Sequence, residues 1–163
     1  MLEIGSVVWG VVDVARAVAF WSEALDYKLK YPASDGWAIL IPKESYDKCF
    51  GHYIKYSMRN ALDIATTGCS VNVRLSEDKK SFDRVRIGYG VASPIPVRAP
   101  SAEAFINGKK INDKNIKKFA ETVLEDINPR DSWRAGKALR QHISVVMAER
   151  ALRECVEMAG GEI

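Results

Sequence analysis

Hydrophobic positions change their spacing several times along the chain. Near the start, "LEIGSVVWGV" is an almost unbroken β-branched and apolar run, the pattern of a buried strand. From Asp13 onward Val14, Ala17, Val18, Trp21 and Leu25 recur at helical spacing, and Asp13 is placed to cap the first turn. "YKLKY" alternates with period two, "PASDG" has turn composition, and "WAILIP" is a further strand stopped by Pro42. Beyond a polar loop, "GHYIKYSM", "GCSVNVRL" and "DRVRIGYGV" read as three more strands. With the charged turn "SEDKKSF" between the last two, they form an antiparallel meander with one wet face.

The pattern then turns helical. "ASPIPVRAPSAEAF" holds three of the six prolines, so no ladder pairing is expected there. "SAEAFI" predicts a short helix with Ser101 as cap and Gly108 as stop. "NDKNIKKFAETVLEDI" places Ile116, Phe119, Ala120, Val123, Leu124 and Ile127 on one face. "SWRAGKALRQHISVVMAERALRECVEMA" reads as one long helix, anchored at its start by Trp133 and ended by Gly160 and Gly161. Strands first and helices last predict an α+β fold: an antiparallel sheet covered by three C-terminal helices, with an N-terminal β-α-β-β segment added.

Composition narrows the function classes. With 163 residues, 47% hydrophobic and 28% charged, the chain suits one ordinary soluble domain or two very small ones. Cys49, Cys69 and Cys155 are odd in number and far apart, in no metal-binding or disulfide pattern, which suits a reducing cytoplasm. Cys69, in an apolar run, is expected to be a buried small residue, and Cys49, in a polar loop, to be exposed and oxidisable. The apolar runs are too short for a membrane span, and the N-terminus lacks the basic start of a signal peptide. Residues 1–41 carry a net charge of −2 and the remainder +5, but no basic cluster is interleaved with exposed aromatics, so no nucleic-acid partner is expected. His52 and His142, ninety residues apart and without a carboxylate pattern, read as surface or packed residues. Trp9, Trp21 and Trp37 fall at core spacing. No catalytic residue and no metal ligand is assigned.

Two resemblances follow from these motifs. Residues 1 to about 41, through "VVWGVVDVARAVAFWSEALDYKLKYPASDGWAIL", resemble the opening β-α-β-β of a glyoxalase or vicinal-oxygen-chelate module. Where that family commonly has a metal-binding histidine on its first strand, this chain has Ser6, and its metal site also needs a second module, so no metal is expected. Residues from about 38 to 163 are similar to the C-terminal domain of the FAD-binding subunit of xanthine dehydrogenases, and more distantly to the carbon monoxide dehydrogenase medium subunit. "HYIKYSMRNALDIATTGCSVNVRL", "RVRIGYGVASPIPVRAPSAEAF" and "VLEDINPRDSWRAGKALRQHISVVMAERAL" carry this likeness. The resemblance implies a small sheet covered by three helices, beside a larger domain that supplies most flavin contacts through glycine-rich loops.

The same resemblance singles out "KYSMRNALDI". Lys55 matches a lysine lying near the isoalloxazine, where a cation would stabilise negative charge on the reduced ring, and Arg59 and Asp63 belong to the same motif. From the pattern alone, Lys55 and Arg59 equally suit the solvated face of a strand, and Asp63 a turn or cap.

"WAILIP" satisfies both families. The first reading is therefore a natural or engineered fusion, with a half module at 1–41 and a flavoprotein-type domain at 42–163 merged into one globular unit. Such a fusion is expected to have no cofactor and no catalysis of its own, and to form a homo-oligomer through its open sheet edge. The second reading is a flavoprotein component of a molybdenum hydroxylase, passing electrons through FAD beside partner subunits. The third is a glyoxalase-like metal enzyme or binding protein assembled by dimerisation.

Overall fold

The computed structural model describes residues 12–25, 27–29, 32–42, 48–59 and 62–163. The chain divides into two compact units, 1–47 and 48–163. The strand expected at residues 2–11, with Ser6 and Trp9, lies outside the described residues.

In the first unit, helix α1 (Val14–Leu25) begins as its sequence predicts. The Asp13 carboxylate accepts the Arg16 N–H at 2.9 Å while its carbonyl accepts the Ala17 N–H at 3.1 Å. Strands β1 (Tyr27–Leu29) and β2 (Leu40–Pro42) pair antiparallel, with Tyr27 opposite Pro42 and Leu29 opposite Leu40. β2 starts three residues later than expected. The Ser34 hydroxyl accepts the Trp37 N–H, and the Trp37 carbonyl accepts the Ser34 N–H, so a local turn uses the groups a ladder would need. Trp37 is consequently 61% exposed instead of a core residue.

The second unit is the antiparallel sheet under three helices that the periodicity predicts. Strands β3 (Phe50–Tyr56), β4 (Thr67–Leu75), β5 (Phe82–Gly90) and β6 (Val97–Arg98) lie in sequence order. Helices α2 (Pro100–Ile106), α3 (Asp113–Thr122, continued by a 3-10 turn over Val123–Glu125) and α4 (Lys137–Met158) cover one face. α4 runs under β3 and β4, α2 packs on β5, and α3 bridges α2 and α4. Strand alternation sends Cys69, Val71 and Val73 of β4 and Val85, Ile87 and Tyr89 of β5 inward. There they meet Ile143, Met147, Ala151, Leu152 and Cys155 of α4, which recur at helical spacing. The buried Tyr89 hydroxyl donates to the Ser144 carbonyl at 2.8 Å, pinning β5 to α4.

Several local expectations are corrected. Pairing does occur in the proline-rich stretch: Val97 and Arg98, which retain their N–H groups, form a two-residue edge strand between Pro96 and Pro100. Ser101 is not the cap of α2, because Pro100 already starts the helix and Ser101 gives its N–H and hydroxyl to the Asp126 carboxylate, both at 2.9 Å. Leu124 is exposed, since the tightening to a 3-10 turn rotates it off the buried face. α4 begins at Lys137 and not at Ser132: Asp131 takes the Lys137 N–H at 2.6 Å, and Ser132 and Ala135 bond to each other's main chain. Trp133 therefore anchors nothing, being 88% exposed with the Arg134 guanidinium 4.6 Å over its ring. Gly108 and Gly160 do end their helices, both at positive φ.

Among the described residues, no helix is long and apolar enough to cross a membrane. Cys69 and Cys155 are fully buried, and burial pushes both thiols up to about 12, whereas Cys49 is half-buried. Iodoacetamide at about pH 8 should therefore label Cys49 in the native protein, and Cys69 and Cys155 only after denaturation. Native labelling of either core thiol, read by peptide mass spectrometry, would contradict this packing.

Candidate functional site

The face of the sheet turned away from the helices is unusually bare. Tyr53, Ser70, Gly88 and Arg98 share one rung across the four strands, and Lys55, Gly68 and Gly90 share the next. Strand interiors rarely hold glycine unless something must approach the backbone closely. Here three of them line a cavity of about 340 Å³, with Gly88 and Gly90 leaving main chain as its open floor and Tyr53, Pro96, Val97 and Arg98 as its walls. A Cβ on Gly90 would meet nothing within 4 Å, and one on Gly88 only the Val97 carbonyl at 3.6 Å. On Gly68 it would meet the Tyr53 hydroxyl at 2.7 Å, so the tyrosine ring leans over that glycine. The result is a flat trough with an aromatic side and a cationic side.

The cationic side is held from beneath. Glu103 of α2 is 3% exposed, and one of its oxygens accepts the Ile87 N–H at 3.1 Å and Arg98 Nε at 3.0 Å. The other accepts Arg86 Nη1 at 3.2 Å and Arg98 Nη2. The Glu103 hydrogen bond pushes the already high pKa of Arg98 higher still.

Lys55, Arg59 and Asp63 are brought together where β3 passes into β4, and they organise that connection. Lys55 donates to the Asp63 carbonyl at 2.6 Å, and Arg59 donates to the Leu62 carbonyl at 2.9 Å. The Asp63 carboxylate accepts the Arg59 N–H at 3.0 Å and the Ile64 N–H at 2.9 Å. Desolvation alone would raise the Asp63 pKa, but these N–H groups, that of Met58 and the Arg59 charge together hold it below the ordinary carboxylate value. Arg59 stays well exposed, 4.0 Å from that carboxylate. Of the three, Lys55 alone lies on a rung of the trough, opposite Gly68.

Sequence reading missed three parts of this region: the glycine trough, the Glu103 clasp and Arg140. Arg140 is 3% exposed on α4 and meets no carboxylate within salt-bridge distance among the described residues. Its guanidinium donates to the Thr66 and Val91 carbonyls, the Ala135 carbonyl and the Ser132 hydroxyl, tying three chain segments together. The one available signal was "IGYG", where glycines sit in the interior of a strand pattern.

The xanthine dehydrogenase FAD-binding subunit of Escherichia coli O157:H7 is 36% identical over 126 residues, which is 77% of this chain and 42% of that subunit. The glyceraldehyde dehydrogenase medium chain of Sulfolobus acidocaldarius is 28% identical over 100 residues, 61% of this chain and 35% of that one. Among solved structures, carbon monoxide dehydrogenase from Hydrogenophaga pseudoflava superposes with a TM-score of 0.62 at 25% identity, covering 67% of this chain and 37% of that chain. This chain thus spans less than half the length of the curated relatives it matches.

These matches correct the expectation of no cofactor, because the xanthine dehydrogenase relative is an FAD-binding subunit. They likewise favour the flavoprotein reading over the fusion without a site. The expectation of no cofactor had rested on the lack of a contiguous glycine-rich phosphate loop, and that lack does not exclude a cofactor. The model of the CO dehydrogenase flavoprotein C-terminal domain matches residues 52–155, and the chain belongs to that family.

Proposed function

We propose that this chain is the C-terminal part of the FAD-binding subunit of a molybdenum hydroxylase, and that the open face of its sheet receives the flavin ring. The observation that carries this reading is the glycine-floored trough between Tyr53 and Arg98, which offers bare main chain to a flat aromatic system. A flavin bound there would supply the ability to accept an electron pair and return electrons singly or together. The chain's own part is to seat and polarise the ring. Tyr53 closes one side, and the Lys55 ammonium, on the same rung as Gly68 and Gly90, favours negative charge nearby. Arg59 and Asp63 act through the loop that carries Lys55.

The pyrophosphate needs other residues. α2 opens on Pro100, the Asn115 N–H of α3 is taken by Asn112, and the Lys137 N–H of α4 by Asp131. Support for partner subunits comes from the relatives, whose names describe subunits and chains of larger enzymes. The FAD-binding subunit reading, the cytoplasmic setting and any homo-oligomer are part of the same proposal. So is the resemblance of residues 1–41 to a glyoxalase half module, which rests on its motif and on the Asp13-capped helix.

Titrating the chain into lumiflavin and into FAD, with flavin fluorescence as the readout, tests the trough. Saturable quenching is expected for both. Gly90→Val, which a strand tolerates and which meets no neighbour, should weaken it by about tenfold or more at an unchanged melting temperature. A flat titration, or binding indifferent to Gly90→Val, would sink the proposal.

A further inference from the structure

A second surface lies at the end of the sheet where three connections meet. Leu62 and Ile64 follow β3, Val91 and Ile95 follow β5, and Trp133 precedes α4; all are exposed, Leu62 by 97%. Arg140 holds these connections together through Thr66, Val91, Ser132 and Ala135. The Asn128 N–H, donated to the Ser93 hydroxyl at 3.0 Å, ties the second to the third. Leu62 and Val91 both adopt left-handed backbone, with φ of 51° and 64°, which is costly for a side chain of either kind and rare for a β-branched one. The fold thus spends strain to hold two aliphatic side chains in solvent, on connections that Arg140 ties to the one carrying Trp133.

The charge around this patch says what would cover it. Arg130 and Arg134 both act on Arg140, and Asp131 is the carboxylate that opposes them. Arg130 and Arg134 outnumber Asp131, and Asp63 is flanked by Lys55 and Arg59, so the rim is cationic in net charge with both carboxylates ionised. A second copy docked through the same face would set guanidinium against guanidinium. A nucleic-acid strand could use Trp133 and the arginines but would leave the aliphatic side chains against phosphate. We propose that this end of the domain docks a protein partner whose apolar surface is ringed with carboxylates. Trp133 and its stacked Arg134 are its central contacts, since tryptophan and arginine dominate such interfaces. This surface has its own observations and stands independently of the flavin trough.

Site-specific photo-crosslinking in the cells that make the protein tests it. Benzoylphenylalanine is placed at Leu62, at Ile95 and, as control, at Lys117 on α3. One and the same protein should be captured from positions 62 and 95 but not from 117, through a peptide rich in Asp and Glu. Trp133→Ala, and Arg130→Glu combined with Arg134→Glu, should each cut the yield by about tenfold or more. Melting temperature should not fall for Trp133→Ala, whose side chain is at the surface, and its loss of yield therefore reads docking alone; the double charge reversal, which also acts on Arg140, is scored only if the protein stays folded. Capture no better than at position 117, yields indifferent to charge reversal, a crosslink to nucleic acid or lipid, or a dimer of this chain would each overturn the proposal.

Discussion

Glu103→Ala is expected to destabilise the domain by about 2–4 kcal/mol, a fall in melting temperature on the order of 10 °C. The carboxylate is buried at the junction of α2 with the β5 and β6 edge, and it is the acceptor for the Ile87 N–H in the core. Removing it leaves that N–H and part of two guanidinium groups without a partner. Arg98 and Arg86 are 59% and 38% exposed, so water screens their share of the attraction, and the lost N–H acceptor carries most of the effect. Glu103→Gln keeps an acceptor for Ile87 and should cost about half as much. Urea denaturation of the three proteins decides the matter: equal losses for Ala and Gln would mean that charge, and not the core hydrogen bond, is what matters. Glu103→Ala also frees Arg98, so the wall of the trough loosens with the fold, whereas Gln keeps the oxygen that Arg98 Nε shares with the Ile87 N–H.

The second large effect is expected at Arg140. Arg140→Met fills a similar volume but abandons the Thr66, Val91 and Ala135 carbonyls and the Ser132 hydroxyl, for a loss of about 3 kcal/mol. Burial, with Arg130 and Arg134 nearby, pulls the Arg140 pKa down from the usual guanidinium value, yet a guanidinium so lowered still carries its charge at neutral pH. Arg140→Lys supplies one nitrogen where three are used, so it should recover only part of the stability. Hydrogen exchange should locate the damage. Amides from 62 to 66 and from 91 to 93 should exchange faster in Arg140→Met, while those of α3 stay protected. Uniformly faster exchange would show that the residue braces the whole domain and not this end of it.

How much of this was legible follows from the range of the interactions. The strands β3, β4 and β5 and the helices α1, α3 and α4 announce themselves because alternation and helical spacing are local, as are the Asp13 cap and the Gly108 and Gly160 stops. Boundaries failed where a distant or competing bond intervened. Ser101 turned to Asp126 across 25 residues, and Asp131 moved the start of α4 to Lys137. Lys55, Arg59 and Asp63 were legible as a group, by resemblance, and they do meet. Their shared work in shaping the loop was not legible, because which carbonyl a lysine reaches depends on how the chain returns.

The sequence by itself therefore determined the α+β order, most of the buried stripe of α3, and a family motif with enough residues in place to be recognised. Only the tertiary structure decided the trough and the basic, apolar end of the sheet. Gly68 and Gly90 become neighbours through strand register alone, and Leu62, Val91 and Trp133 converge because one buried guanidinium draws their connections together. A local pattern is written in consecutive residues, whereas a surface is assembled from residues that meet only once the chain has paired.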